Sequence, residues 1–223
     1  MTDISIDDLI RAAVFSEDAT AKAEARKQIH LRARQSGAVP SSILPLYQAL
    51  GRNEITRKFT VPAFNIRALT YDVSRALFRA AMRHNVGPFI FEIARSEIGY
   101  TEQRPHEYAA IMAAAALREG FRGPLFLQGD HVQVALKKYA SPDRDKELDT
   151  LRGLIREAIA AGFYNIDVDT STLVDLSHAT LKEQQRLNYE LAADYTALIR
   201  KIEPKGITAS SPPGISQLAS WAP

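Results

Sequence analysis

Two adjacent residues, Asp130 and His131, carry the first chemical signal in this sequence, because they end the apolar run at residues 125–132. Such a run is typical of a buried β-strand, and a buried strand normally ends in turn residues. An imidazole at a strand end is a good ligand for a divalent metal such as zinc, and a neighbouring carboxylate can act as acid or base on a metal-bound substrate. The structural alternative is a polar strand terminus with a capping aspartate and a solvated histidine.

A second acidic signal lies at residues 165–171, where the sequence reads Asn-Ile-Asp-Val-Asp-Thr-Ser. Strand periodicity places Asp167 and Asp169 on the same face. Two carboxylates in one strand are costly when they are buried without partners, but at a strand end they can bind a metal or orient groups that do. Alternatively, Asp169 caps the following segment together with Thr170 and Ser171.

Polar residues also end the two preceding apolar segments. Asn65 suits a hydrogen bond to a sugar hydroxyl, or it only closes a strand-end turn. Glu92 lies within an apolar strand and needs a partner such as an arginine or lysine. Arg95 and Ser96 follow that strand and suit contact with a phosphate.

The elements that position these residues alternate between strand and helix from residue 58 onward. The pattern predicts strands at 59–66, 89–93, 125–132, 165–169 and 207–210, and helices at 70–84, 105–120, about 148–162 and 180–202. Thr70 is expected to cap its helix, with Val73, Leu77, Ala80 and Ala81 on one face. Helical crossovers imply parallel strands. Because no Gly-x-Gly-x-x-Gly follows a strand and polar residues end the strands instead, the pattern favours an α/β protein of the (β/α)8 TIM-barrel type over a dinucleotide-binding fold.

The length of the chain limits this barrel. A complete one needs about 200–250 residues after its first strand begins, and 166 residues remain from Lys58 onward. We therefore expect an N-terminal helical extension at 1–57 and a partial barrel at 58–210, truncated after about four and a half βα units. An irregular, proline-containing tail is expected at 211–223. Such a partial barrel exposes strand edges, which predicts a homo-oligomer or a partner subunit.

Composition excludes several other classes of function. The net charge of +2 gives no reason to expect nucleic acid or an anionic membrane as a partner. No apolar run approaches the length of a membrane span, and the acidic N-terminus lacks a signal-peptide core. The absence of cysteine removes disulfides and thiolate metal sites and is compatible with a cytoplasmic protein. Four of the histidines show no metal-binding spacing and are interpreted as surface or helix-end residues: His30, His84, His106 and His178.

Three segments taken in order resemble the class II, zinc-dependent ketose-bisphosphate aldolases. They are Val-Pro-Ala-Phe-Asn at 61–65, Leu-Gln-Gly-Asp-His at 127–131, and Ala-Gly-Phe-Tyr-Asn-Ile-Asp-Val-Asp-Thr-Ser at 161–171. The resemblance covers about residues 47–210. It implies a (β/α)8 barrel, a zinc cofactor, and reversible cleavage of fructose- or tagatose-bisphosphate to dihydroxyacetone phosphate and an aldehyde, as in glycolysis and related carbohydrate metabolism.

The resemblance also assigns roles to residues. Asp130 corresponds to the acid that protonates or polarises the aldehyde oxygen, His131 to the first zinc ligand, and Asp169 to a carboxylate near the metal. Substrate contacts are expected from Asn65, Ser96 and Ser171, with Ala94 standing where the family has its strand-two serine.

The family's other two zinc-binding histidines belong to later strands that this chain lacks, so the chain is expected to be inactive alone. Two alternatives remain. The chain is also similar, through Gln-Gly-Asp-His at 128–131 and Gly-Tyr-Thr at 99–101, to the non-catalytic subunit of tagatose-bisphosphate aldolase. Another sugar-phosphate barrel enzyme is the second alternative.

Overall fold

A sheet of short parallel strands forms the centre of the protein. The computed structural model describes residues 4–56 and 59–211, and within these ranges the sheet has five strands: β1 (Ala38–Pro40), β2 (Ala63–Asn65), β3 (Ile90–Ala94), β4 (Gly123–Gln133) and β5 (Asn165–Asp169). Each pairing is parallel. The protein is therefore an α/β protein with a parallel sheet, as the alternating pattern predicts.

From β2 onward the strands pair in chain order. β2 pairs with β3, β3 with β4, and β4 with β5, while Ser210 forms an isolated parallel bridge to Asn165 at the start of β5. β1 pairs with the first residues of β4. It lies on the same side of β4 as β5, which pairs with later residues of that strand. Because all the strands run in one direction, their carboxyl ends meet at one edge of the sheet. The predicted strand at 207–210 is present only as the single bridge at Ser210.

Ten α-helices accompany the strands in the described part of the chain. They are α1 (Ile6–Phe15), α2 (Ala19–Ser36), α3 (Leu44–Gly51), α4 (Thr70–Arg83), α5 (Arg95–Thr101), α6 (Pro105–Glu119), α7 (Leu136–Tyr139), α8 (Arg144–Ala161), α9 (Leu181–Gln184) and α10 (Arg186–Ile202). The predicted ends of α6 and α8 are confirmed, since Gly120 and Gly162 cap these helices in the left-handed conformation that favours glycine. None of the described helices combines the length and the apolar character that crossing a membrane requires.

Helix α6 lies at the centre of the helical layer. Its alanine-rich middle, residues 109–116, is buried on every side, and small side chains allow close packing of neighbouring helices. Residues Leu9, Ile10 and Ile29 of α1 and α2 belong to the same core cluster as α6 and the sheet. The N-terminal helices therefore extend the main hydrophobic core and position the rest of the molecule.

The structure corrects the expected arrangement of α4. Leu69, with φ of +49°, occupies the N-cap position predicted for Thr70, and no side chain caps the helix. The hydroxyl of Thr70 donates instead to Gln103 Oε1 at 2.7 Å. The buried face carries Ser74 and Phe78, whereas Val73 is 37% exposed, because the ring of Phe78 packs into an aromatic group with Phe89, Phe91 and Phe121.

Two further differences concern element boundaries. β1 was not expected, because three residues ending in Pro40 are too short to give an alternating pattern. The predicted helix at 180–202 is interrupted at Gln185, which separates α9 from α10. Of the predicted tail at 211–223, residues 212–223 lie outside the described residues.

Candidate metal centre

An irregularity in the pairing of β4 with β5 brings Asp130 and His131 to one place. Gly129 pairs with Ile166 and Val132 with Val168, so three steps along β4 match two steps along β5. His131 has φ of +40°, a left-handed conformation that is uncommon outside glycine. A bulge of this kind bends the strand and re-aims side chains, and bulges are frequent beside active sites.

The bulge allows an acid and its neighbouring imidazole to face the same carboxylate on β5. Asp130, His131 and Asp167 each offer a ligand atom, and all three atoms lie within 4.8 Å of one another. His131 Nε2 is 4.0 Å from Asp130 Oδ2, and His131 Nδ1 is 3.8 Å from Asp167 Oδ2. The backbone N–H of His131 also donates to Asp167 Oδ2 at 3.2 Å. The imidazole side chain is 41% exposed, so the cluster opens to solvent.

Asp169 lies beside this cluster and outside the group of three. Its Oδ1 accepts hydrogen bonds from the Ser171 backbone N–H and hydroxyl, at 3.1 and 2.6 Å. Its Oδ2 accepts from Gln133 Nε2 at 2.6 Å and lies 3.1 Å from His131 Nδ1. Pairing with a carboxylate favours the tautomer with the proton on Nδ1, which leaves the Nε2 lone pair open. Both oxygens of Asp169 are thus engaged in orienting neighbours, including the imidazole.

Burial and mutual repulsion set the charges of these groups. Burial raises the pKa of Asp167 to about 6, helped by Asp169 and opposed by the hydrogen bond from the His131 backbone. Burial likewise raises the pKa of Asp130. Partial burial opposes charge on His131, but the hydrogen bond to Asp169 and the nearby carboxylates outweigh it and raise the imidazole pKa. The pKa of Asp169 is lowered because its hydrogen bonds outweigh burial.

Glu92 adds a proton-binding group beside the cluster. Burial raises its pKa to about 7, and the charges of Asp130 and Glu97 add to the shift. An arginine or lysine partner was expected for this carboxylate. The structure instead shows a hydrogen bond from Gln128 Nε2 to Glu92 Oε2 at 3.0 Å. The amide partner carries no positive charge and the attraction to His131 only partly offsets burial, so the pKa of Glu92 stays raised to about 7.

The predicted substrate-binding residues occupy different environments. Asn65 Nδ2 donates to Glu97 Oε2 at 2.7 Å, while Asn65 Oδ1 is buried without a hydrogen-bond partner. Ser96 is exposed on α5. The hydroxyl of Ser171 is used by Asp169. Asn65 Oδ1 is therefore a buried acceptor that the fold leaves unpaired.

A buried ion pair behind the site was not expected from the sequence. Arg95 donates to Glu147 Oε1 and Oε2 at 2.5 and 3.0 Å, and also to the carbonyl of Gln133 at 2.5 Å. The Ala135 backbone N–H donates to Glu147 Oε1 at 2.8 Å. Together these contacts fix the chain just after β4, and Gln133 in turn holds Asp169. Residues 52 positions apart carry no local pattern that would reveal this pair.

No protein-family model matches this chain, and a search of curated proteins finds no match.

Proposed function

We propose that this chain is a class II, metal-dependent aldolase-like protein whose reaction is the cleavage of a ketose bisphosphate to dihydroxyacetone phosphate and an aldehyde, and that the chain is inactive alone. The observation that carries the proposal is the group of Asp130, His131 and Asp167, whose ligand atoms converge at the carboxyl ends of β4 and β5. The segments that resemble this family meet at that edge. Pairing of β2, β3, β4 and β5 in chain order supports a (β/α)8 barrel as the finer fold.

The donor set fits a divalent cation. One imidazole nitrogen and two carboxylate oxygens are ligands that zinc accepts in catalytic sites, and manganese and magnesium accept the oxygens. Three acidic side chains surround one imidazole, so bound positive charge relieves repulsion among them. When bound, such a metal supplies stabilisation of negative charge that develops on a substrate oxygen.

The protein's own groups can move the protons that this reaction requires. Asp130 is proposed to protonate the aldehyde oxygen, since its raised pKa favours the acid form. Glu92, with a pKa of about 7, holds or accepts a proton beside it. Asp169 acts through His131 and is a positioning residue. Substrate contacts are proposed for Asn65, Ser96 and Ser171.

One feature favours a second candidate, a non-catalytic subunit that supports a tagatose-bisphosphate aldolase. Within residues 4–56 and 59–211 the only group of this kind contains a single imidazole. Three protein ligands are usual for catalytic zinc, and histidine nitrogens commonly supply two or three of them. A cluster with two carboxylates is a weaker zinc site, which suits a protein whose partner performs the reaction.

The deciding experiment compares two histidine variants of the purified chain. Dihydroxyacetone phosphate release from fructose- and tagatose-bisphosphate is measured after EDTA treatment and again after zinc is added, with bound zinc determined by elemental analysis. We expect the wild-type chain to bind zinc and His131→Ala to lose it, with little or no release of dihydroxyacetone phosphate by the chain alone. His178→Ala is the matched control, because His178 also lies beside a carboxylate, 3.6 Å from Asp175 Oδ2, away from the cluster.

The possible outcomes separate the two candidates. Zinc bound in the wild-type chain and lost in His131→Ala supports the metal centre even when turnover is absent. Absence of turnover together with a rise in the activity of a co-expressed aldolase favours the supporting subunit. No zinc binding, or equal zinc binding in both variants, contradicts the proposed site.

A further inference from the structure

A cavity on the outer surface gathers positive charge away from the strand ends. It lies between α2 and the start of α6, has a volume of about 480 Å³, and is lined by Ala19, Lys22, Ala23, Arg26, Lys27, His30 and His106. No acidic residue is among the lining residues. The whole chain carries a net charge of only +2, so this concentration of cationic and imidazole groups is local.

The charges around the cavity are only partly compensated. Arg26 donates to Glu107 Oε2 at 2.7 Å and to the carbonyl of Ala13 at 3.0 Å, so its guanidinium is already in use. Lys27 approaches only Glu24, at 3.8 Å, and both side chains are mostly exposed. Lys22 makes no ion pair within the described part of the chain. Glu107, whose carboxylate binds Arg26, also attracts Lys22 electrostatically, so an anion would compete with this carboxylate and with Glu24 for the two ammonium groups.

The two histidines add a second feature of the same cavity. Burial lowers the pKa of His30, and the nearby His106 and Arg34 lower it further. His106 is the second residue of α6, a helix of 15 residues whose N-terminus has no side-chain cap. The positive end of the helix dipole lies at this residue, while the N–H groups of Glu107 and Tyr108 already donate to the Arg104 carbonyl at 2.9 and 3.0 Å. Positive potential thus comes from two elements packed against each other.

We propose that this cavity binds a compact phosphate-bearing anion. Phosphate groups are recognised by lysine ammonium groups as point charges, by protonated imidazole, and by helix N-termini. A volume of about 480 Å³ lies within the size range of small-molecule sites. The site is independent of the metal centre, and its occupant neutralises Lys22 and Lys27 and favours the charged form of His30.

The test uses inorganic pyrophosphate with the purified chain. Binding is followed by calorimetry and by NMR titration of the His30 ring, in buffer of constant ionic strength. We expect saturable binding and a movement of the His30 titration midpoint to higher pH, because a bound anion favours the imidazolium form. Lys22→Gln/Lys27→Gln is expected to weaken binding about tenfold or more.

The control is Lys182→Gln/Lys201→Gln, which removes the same charge from exposed lysines of α9 and α10. This control is expected to bind pyrophosphate like the wild-type chain. His106→Gln gives an independent check of the packing at the cavity, since it removes a neighbour that lowers the His30 pKa and should raise the His30 midpoint in the absence of pyrophosphate. Equal weakening in both double variants, no saturable binding, or the same response to acetate would overturn the proposal.

Discussion

Replacing Glu92 with glutamine is predicted to stabilise the metal-free protein at neutral and alkaline pH. The carboxylate is half-buried, its pKa is raised from 4.5 to about 7, and its hydrogen-bond partner is the amide of Gln128. Because the folded state holds the proton more tightly than the unfolded state, the folded protein loses stability as pH rises from about 4.5 to 7. Glutamine keeps the shape and carries no charge to bury.

The size of this effect follows from the shift in pKa. Converting the whole difference between 4.5 and about 7 gives about 3 kcal/mol of lost stability at high pH. Glu92 retains contact with solvent, and screening reduces this figure to roughly 1–2 kcal/mol. The variant is therefore expected to exceed the wild-type free energy of unfolding by that amount above pH 7 and to equal it below pH 4.5.

Urea unfolding from pH 4 to 8 in the presence of EDTA measures this difference directly. Glu97→Gln is the matched control, because Glu97 lies at the same strand end and accepts hydrogen bonds from Asn65 Nδ2 and the Ala94 backbone N–H. We expect this control to destabilise the protein. A Glu92→Gln variant that is less stable than the wild type at pH 8, or whose advantage does not change with pH, refutes the reasoning.

Two further predictions concern stability. Glu147→Gln leaves its arginine partner without a counter-charge and should lower the free energy of unfolding in urea by about 3 kcal/mol. Glu157→Gln on the same helix should change it little, because the partner of Glu157, Arg104, is 54% exposed. Gly162→Ala should lower the free energy of unfolding by about 1–3 kcal/mol, because Gly162 has φ of +97° and its added Cβ would lie 3.0 Å from Pro40 of β1. Gly153→Ala, which has open space around it, should raise the free energy of unfolding by roughly 0.5–1 kcal/mol in the same assay. Equal effects within either pair of variants would contradict the structural explanation.

Local patterns predicted the elements whose signals are local. β5 was expected at 165–169 and is found at Asn165–Asp169, because apolar residues alternate there with acids and Gly162 ends the preceding helix. The burial of α4 was misjudged because several of its faces carry apolar residues. Only the aromatic partners of Phe78 on β3 and before β4 decide which face turns inward, and these contacts are invisible in a helical window of the sequence.

The candidate site likewise has features that the local sequence predicts and features that depend on long-range contacts. Asp130 and His131 were singled out from sequence because charged residues end an apolar strand, and Asp167 was recognised as sharing a face with Asp169. The sequence does not distinguish the roles of Asp167 and Asp169. In the structure Asp167 joins His131 in the group of ligand atoms, whereas Asp169 orients the imidazole. That distinction depends on Ser171 and Gln133, which engage both oxygens of Asp169.

The pairing of an acid with the next residue is the least predictable feature of the site. Strict alternation would send Asp130 and His131 to opposite faces of β4, and only one of them could reach Asp167. The extra residue in β4 and the left-handed backbone of His131 remove that conflict, at a cost of about 1–3 kcal/mol in backbone strain. The hydrogen bond from the His131 backbone N–H to Asp167 and the contact of its ring with Asp169 hold the strained residue in place. Asp167 and Asp169 concentrate negative charge at the site, and they also fix the geometry that brings its ligand atoms together.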